Sequence, residues 1–359
     1  MDDDQCKSFT ESPQEVPPGA GAHRRRPRYS GKHPRRFEEK YKEHDPDRYS
    51  ATVAKVLASG KTPAGTHRPI MVTEILEVLA PKPGEVAVDC TLGFGGHAQE
   101  LLARLQPGGR LIGLDVDPEQ LPKTEARLSA SGFGPEVFSA SRTNFAGLPR
   151  ALAAAGLSGA DLILADLGVS SMQLDDPARG FSMKFAGPLD MRMNNQRGET
   201  AAELLKEVAA HTLTRLLLEN ADEPHAAVLG TALAGREFKT TLDLASAIRG
   251  ALTKVRKEDR ELSVRRVFQA LRIAVNDEFS CLENFLRVLS GCLNAGGRVA
   301  ILTFHSGEDR RVKKAFEEGI RSGLYSAVSR EVIRPTPAER RDNPRSAPAK
   351  LRWAIRKNG

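Results

Sequence analysis

Between Val86 and Asp117 the chain writes an apolar strand, a glycine turn and a second strand closed by acid. The stretches are Val86-Ala-Val-Asp89, Cys90-Thr-Leu-Gly93-Phe-Gly95-Gly96-His97 and Leu111-Ile-Gly-Leu-Asp115-Val-Asp117. A backbone that comes close to a ligand needs positive φ or no Cβ, and the helix that follows offers unpaired N–H groups at its start. Asp115 lies about 20 residues beyond the glycines, near the spacing at which a carboxylate accepts hydrogen bonds from ribose hydroxyls. Taken alone, the turn could equally be a tight strand-to-helix connection; the spaced carboxylate weighs against that reading.

The turn reads Gly-x-Gly-Gly rather than Gly-x-Gly-x-x-Gly, so the third glycine, which lets helix and strand close around a pyrophosphate, is missing. S-adenosylmethionine has no phosphates. It asks for a wide turn at its amino acid end, an acid for its ribose, and apolar or amide groups around its adenine. The residues suit it better than they suit a dinucleotide.

A chain of 359 residues, 40% of them hydrophobic, can bury one large core or two moderate ones. Its net charge of +7 leans toward a polyanionic partner. Aromatic residues make up only 5%, which favours an enzyme acting on structured RNA or DNA over a single-strand binder built on stacking platforms. Cys6, Cys90, Cys281 and Cys292 are dispersed, without Cys-x-x-Cys pairs or histidines at zinc spacing, so neither a disulfide framework nor a metal site is expected. No signal-length or membrane-spanning apolar run is seen, and the acidic Met-Asp-Asp-Asp start argues against a transit peptide. The expected location is the cytoplasm, with the mitochondrial matrix as the alternative in a eukaryote.

Residues 1–60 are rich in Pro, Gly and charge, including Arg24-Arg-Arg-Pro-Arg28, and read as a disordered basic arm: a solubility tail or an RNA-holding segment. From 61 to 174 strands and helices alternate, the mark of an α/β fold with a parallel sheet. Strands are expected at Val86–Cys90, 110–115 and Leu162–Asp166, and helices at Ile70–Leu79, 97–105, Pro118–Ser129 and Ala151–Leu157. From 175 to 270 the strand signal vanishes in favour of helical stretches at Ala201–Leu218, Leu242–Val255 and Val264–Asn276, which read as a substrate-binding insertion. The α/β pattern returns over 271–359, with a helix at Phe279–Leu293, a turn at Asn294-Ala-Gly296-Gly297, a strand at Arg298–Thr303 and a last strand at Lys350–Ile355.

Asp166 stands just past the carboxyl end of a strand, where open α/β sheets bind ligands. A carboxylate there can accept a hydrogen bond from an exocyclic amine and draw its lone pair out of conjugation; the plainer use is a helix N-cap. Gln173-Leu-Asp-Asp176 and Arg179-Gly-Phe181 form a polar loop on the same edge, and Gln173 could read adenine or the target base. Asp190-Met-Arg192-Met193 holds an ion-pairing couple that could simply brace the insertion. Phe304-His305-Ser306-Gly-Glu308-Asp309 follows the last long strand; Ser306 with Asp309 has capping-box form, and His305 is a second candidate for the reacting edge.

Seven ordered blocks, from His67 to the C-terminus, resemble the ribosomal RNA small subunit methyltransferase H (MraW) family. They include His67-x-Pro-x-Met-x-x-Glu74, Asp89-x-Thr-Leu-Gly-Phe-Gly-Gly-His97, Asp166-Leu-Gly-Val-Ser-Ser, Pro188-Leu-Asp-Met-Arg-Met193 and Phe304-His-Ser-x-Glu-Asp-Arg310. The resemblance implies a class I S-adenosylmethionine-dependent methyltransferase sheet, Rossmann-like, with an inserted helical domain. It also implies N4-methylation of a cytidine in the decoding centre of 16S rRNA. It places cofactor contacts at Gly95, Gly96, His97, Asp115, Phe145, Asp166 and Gln173, with Asp166 and His305 as candidate catalytic groups. Phe145 follows from the resemblance alone. Met172 and Gly307 depart from the family pattern, which commonly has Pro and a larger apolar residue there. The expected partner is 16S rRNA within the small ribosomal subunit, and a homodimer is left open. The rivals are a nicotinamide-dependent dehydrogenase, a non-catalytic RNA-binding factor and a DNA methyltransferase.

Overall fold

Strand formation follows the apolar runs. In the computed structural model, which describes residues 69–358, β1 (Val86–Asp89), β2 (Arg110–Asp115), β3 (Phe138–Arg142), β4 (Ala160–Asp166), β5 (Leu293–Thr303), β6 (Tyr325–Val328) and β7 (Lys350–Arg356) form one sheet in the order β3-β2-β1-β4-β5-β7-β6. The basic arm at 1–60 lies outside the described residues, as does His67. The first five strands in that order run parallel, and β7 is antiparallel to both β5 and β6. The chain leaves β1 toward β2 and β3, then crosses back to place β4 on the other side of β1. That reversal is where open α/β sheets form their ligand crevice.

Helices cover both faces. On one side α1 (Val72–Leu79), α2 (Gly96–Leu105) and α3 (Gln120–Ala130) bury Leu79, Leu101, Leu102 and Leu128 against the sheet; Ile75 joins them. On the other, α4 (Leu148–Ala154) and two later helices bury Leu148, Leu152, Phe285, Leu289, Val312 and Phe316. Those later helices are α11 (Glu278–Cys292) and α12 (Ser306–Arg321), numbered after the segments that precede them.

Between β4 and β5 no further strand of the sheet forms. A short helix, α5 (Ser171–Asp175), is followed by α6 (Ala201–Glu207), α7 (Ala210–Ala221), α8 (Ala226–Leu233), α9 (Thr241–Ala251) and α10 (Lys257–Val275). Leu205, Leu213, Leu217, Leu229, Leu244 and Leu271 build a separate core among them. The last helix, α13 (Pro337–Asp342), precedes β7. No helix among the described residues is long and apolar enough to cross a membrane.

Several local expectations are corrected. The helix read over Ala201–Leu218 is two helices, broken at Val208 and Ala209, whose extended backbone lets Val208 N–H close α6 on the Leu204 carbonyl. The polar loop after Asp166 contains helical turns: α5 and a 3-10 turn at Pro177–Arg179. The Asn294–Gly297 turn lies within β5, whose ladder with β4 jumps from the pair Ala160 and Leu293 to the pair Leu162 and Arg298, so the four residues bulge outward. Gly296, at φ 72, and Gly297, where a Cβ would stand 2.8 Å from the Asn294 carbonyl oxygen, make that bulge possible.

Phe285 is fully buried and sets its ring edge-on to Phe145, centroids 5.5 Å apart. Phe285→Ala is expected to lower stability by about 3–5 kcal/mol through the cavity it leaves. A urea or guanidinium denaturation midpoint indistinguishable from that of the parent chain would contradict this.

Candidate active site

The turn after β1 is pinned between its two neighbouring strands. Cys90 N–H donates to the Leu164 carbonyl of β4 at 2.8 Å, and Leu92 N–H to the Leu114 carbonyl of β2, also at 2.8 Å. Gly93 and Gly95 then take positive φ, 47 and 69 degrees, and α2 starts at Gly96. A Cβ on Gly95 would lie 2.9 Å from Thr124 Cγ2 on α3, while one on Gly96 would lie 3.0 Å from Pro69. The turn is therefore bare on both sides because there is no room for it to be otherwise.

Above this turn opens a cavity of about 760 Å³, a size suited to a nucleoside-sized ligand. Gly95, Gly96, His97, Asp115, Phe145, Asp166 and Gln173 all line it, so the structure brings these seven expected positions to one space. His305 is not on that wall. Its ring caps α12, with Nδ1 accepting from Glu308 N–H at 3.4 Å, and leans on Phe279. Glu308 completes the reciprocal box with its Oε2 on His305 N–H at 3.3 Å, which shifts the expected Ser306 and Asp309 pairing by one residue. Asp309 instead binds Lys350 and Arg352 on β7. The neighbouring Gly307 lacks a side chain because Phe279 fills its space: a Cβ there would stand 2.6 Å from the ring.

Asp115 turns its carboxylate back on the turn. Oδ2 accepts from Gly93 N–H at 2.7 Å and Oδ1 from Asp117 N–H at 2.9 Å. Gln173 is likewise held, its Oε1 accepting from Ser170 N–H and its Nε2 donating to Asp117 Oδ2 at 3.0 Å. Ser170 with Gln173 forms the capping box of α5, so Asp166 does not serve as that helix's N-cap.

Asp166 has its N–H on Thr91 Oγ1 at 2.6 Å, while its own Oδ1 is buried without a hydrogen-bond partner. Burial, with the charges of Asp89 and Glu308 nearby, pushes its carboxyl up to about 8. Burial likewise raises Asp89 to about 7, and raises Asp115. The three carboxyls feel burial, local hydrogen bonds and neighbouring acids most strongly. They occupy the ends of three adjacent strands, β1, β2 and β4. Such a set favours a cation and repels a pyrophosphate.

His97 donates from Nε2 to the Ile70 carbonyl at 2.9 Å in the tautomer this contact implies, leaving Nδ1 as an acceptor 3.8 Å from Asp166 Oδ2. Burial lowers its pKa, so the contact joins a neutral imidazole to a protonated acid rather than two ions.

Two residues on the cavity wall were not singled out from sequence. Glu308, buried and on the cavity wall, is raised by burial yet held lower overall by His305, Arg272 and Phe304 N–H. Arg272 on α10 forms a two-pronged pair with Glu278 at 2.7 and 2.9 Å. Among the described residues, no group of His, Cys, Asp and Glu is arranged to hold a metal ion.

A group whose folded pKa is raised disfavours folding as it ionises, so the cost of Asp89 and Asp166 is absent below about pH 4 and complete above about pH 8. The melting temperature of the ligand-free protein is expected to fall from pH 6 to pH 9, and Asp166→Asn should flatten that fall. Calorimetric scans across this range check it; a melting temperature that climbs with pH would refute the assignment.

The profile of the MraW methylase family matches residues 64–357. A protein named ribosomal RNA small subunit methyltransferase H 1, from Lachnoclostridium phytofermentans, is 48% identical over 343 residues, covering 93% of this chain and 93% of its own length. Ribosomal RNA small subunit methyltransferase H 2 from Alkaliphilus metalliredigens is 48% identical over 341 residues, covering 92% and 97%.

Proposed function

This chain belongs to the MraW methylase family, and from that premise we propose that it methylates N4 of a cytidine in the decoding centre of small-subunit (16S) rRNA. The family is S-adenosylmethionine-dependent and the sheet is of the class I type. The observation that carries the reading is the set of three buried carboxyls around the glycine turn, none of them in a salt bridge with lysine or arginine among the described residues, with the unpartnered oxygen of Asp166 among them. A sulfonium and an ammonium fit that field; the anionic bridge of a nicotinamide dinucleotide does not.

Bound along the turn, the cofactor would supply an electrophilic methyl group. The bare backbone at Gly95 and Gly96 would receive its amino acid end, Asp115 its ribose, and Phe145 and Gln173 its adenine. A cationic ligand lowers the pKa of adjacent carboxyls, so Asp166 ionises in the loaded site. As a carboxylate it accepts an N–H of the cytosine amine and turns the nitrogen lone pair out of the ring system. It then takes the proton that N4 releases. His97, neutral and fixed on the Ile70 carbonyl, lies beside the carboxylate with Nδ1 3.8 Å from Asp166 Oδ2, beyond hydrogen-bond reach. Catalysis is mainly the positioning of N4 in line with the methyl group.

The target base must leave its stack to reach this edge. Arg197 and Arg265 are exposed on the cavity wall, one in the segment before α6 and one on α10, and serve the flanking phosphates.

Small-subunit particles from a strain lacking this protein, incubated with labelled S-adenosylmethionine and mapped by mass spectrometry, are expected to gain one methyl group on a cytidine N4. A methyl on a ring carbon or another base, or preferential transfer to duplex DNA, would overturn the assignment. Asp166→Asn should cut kcat by about a hundredfold or more and weaken cofactor binding as well. For Arg265→Ala the expected change is weaker rRNA binding with a salt-dependence slope smaller by about one. Filter binding across a salt series reads this directly, an unaltered slope excluding a phosphate contact.

A further inference from the structure

Arg179 does not line the cavity, yet its side chain touches both halves of the site. Nη1 donates to Asp117 Oδ2 at 2.7 Å, while Nη2 donates to the carbonyls of Arg192 at 3.1 Å and Met193 at 2.7 Å. The Arg179 carbonyl in turn accepts from Met191 N–H at 3.1 Å. Both members of the ion pair are nearly buried, with 11% and 2% of their side chains exposed. Burial raises the Asp117 carboxyl, but Arg179 and the N–H groups of α3 outweigh this and hold it below its ordinary value.

Asp117 is joined to the cofactor turn. Its N–H donates to Asp115 Oδ1, and Asp115 Oδ2 accepts from Gly93 N–H. A continuous hydrogen-bonded path therefore runs from Gly93 through Asp115, Asp117 and Arg179 to the carbonyls of residues 192 and 193. Arg192 and Met193 belong to the cavity wall, so the path ends where a substrate would sit.

The loop it reaches is under strain. Met191 is held at φ 64, a conformation costly for a side-chain-bearing residue unless its surroundings impose it. Asn276, which caps the C-terminus of α10, supplies a second anchor, accepting from Met193 N–H at 2.7 Å and donating to the Met191 carbonyl at 2.8 Å. Arg192 is itself fixed by a two-pronged pair with Asp190. A segment held in a strained form by two anchors responds when one of them shifts.

We propose that Arg179 is a positioning residue that couples occupation of the cofactor turn to the placement of residues 188–193, and through them to the affinity for RNA. This rests on the functional reading above and extends it. The planar guanidinium is essential because one fork must serve a carboxylate and two carbonyls at once, which the single ammonium of lysine cannot do. By linkage, RNA and cofactor must then strengthen one another's binding equally.

The test measures affinity for a small-subunit rRNA substrate with and without S-adenosylhomocysteine, the demethylated product, in the parent protein, Arg179→Lys and Arg179→Ala. Cofactor affinity by calorimetry and melting temperature are read alongside. The parent is expected to bind RNA about fivefold or more tighter when the product is present. In Arg179→Lys this gain should drop below about twofold, with S-adenosylhomocysteine affinity kept within about threefold and a single cooperative unfolding transition retained at a somewhat lower melting temperature. Arg321→Ala, which removes an exposed pair with Glu318 far from the cavity, should keep the full gain. Should Arg179→Ala fail to fold, Arg179→Lys decides. The proposal falls if the parent shows no gain, if Arg179→Lys keeps it, or if the gain is lost only together with product binding. Failure of the parent to bind the product or the rRNA would strike the functional reading itself, and is seen before any variant is made.

Discussion

The pinning of one turn between two strands governs this molecule. Cys90 and Leu92 spend their N–H groups on β4 and β2, so the chain leaving β1 cannot fold over either neighbour and must rise between them. That fixes the start of α2, leaves Gly93 N–H for Asp115, and keeps the carboxyl ends of three strands open to one space. A parallel sheet makes such a crevice wherever its strand order reverses. The chain occupies its floor with three acids at the strand ends, while the arginines of the cavity wall come from the segments after β4.

Those acids give the crevice its chemical character. Nearby carboxylates are matched by cations: Asp117 by Arg179, Glu278 by Arg272, Asp309 by Lys350 and Arg352. At the ends of β1, β2 and β4 burial instead drives Asp89, Asp115 and Asp166 toward their neutral forms. An uncompensated set of this kind costs stability in the free protein, and it is tolerated where a ligand brings the missing charge. The imidazole of His97, anchored on a main-chain carbonyl, packs beside one of these acids.

Much of this was legible in the sequence because the signals were local. Apolar runs marked β1, β2 and β4, and the glycine triplet with Asp115 at its spacing marked the crevice. β3 was missed because Phe138-Ser-Ala-Ser-Arg142 is short and polar, and it pairs only as an edge strand on β2. β6 is four residues long and is defined by its partner β7. The cap of α12 was displaced by one residue because His305 could be read as chemistry and Ser306 as a cap, whereas the fold uses the histidine as the cap. Phe145 could not be chosen from spacing, since its place on the cavity wall depends on Phe285, 140 residues later, packing behind it. Arg179 was visible only as a charge in a polar loop. Its meaning lies in Asp117 and the carbonyls of Arg192 and Met193, which only the folded chain brings within reach.

Gly307 shows how one volume can be shared between two helices. The room that a branched side chain would take in the first turn of α12 is filled from α11 by the Phe279 ring, on which the Arg311 guanidinium stacks at 3.6 Å from the centroid. The two positions thus form a single steric unit shared across two helices. A bulky group can be supplied by either helix but not by both, so the pair must be exchanged together when the chain is redesigned or hybridised with a relative.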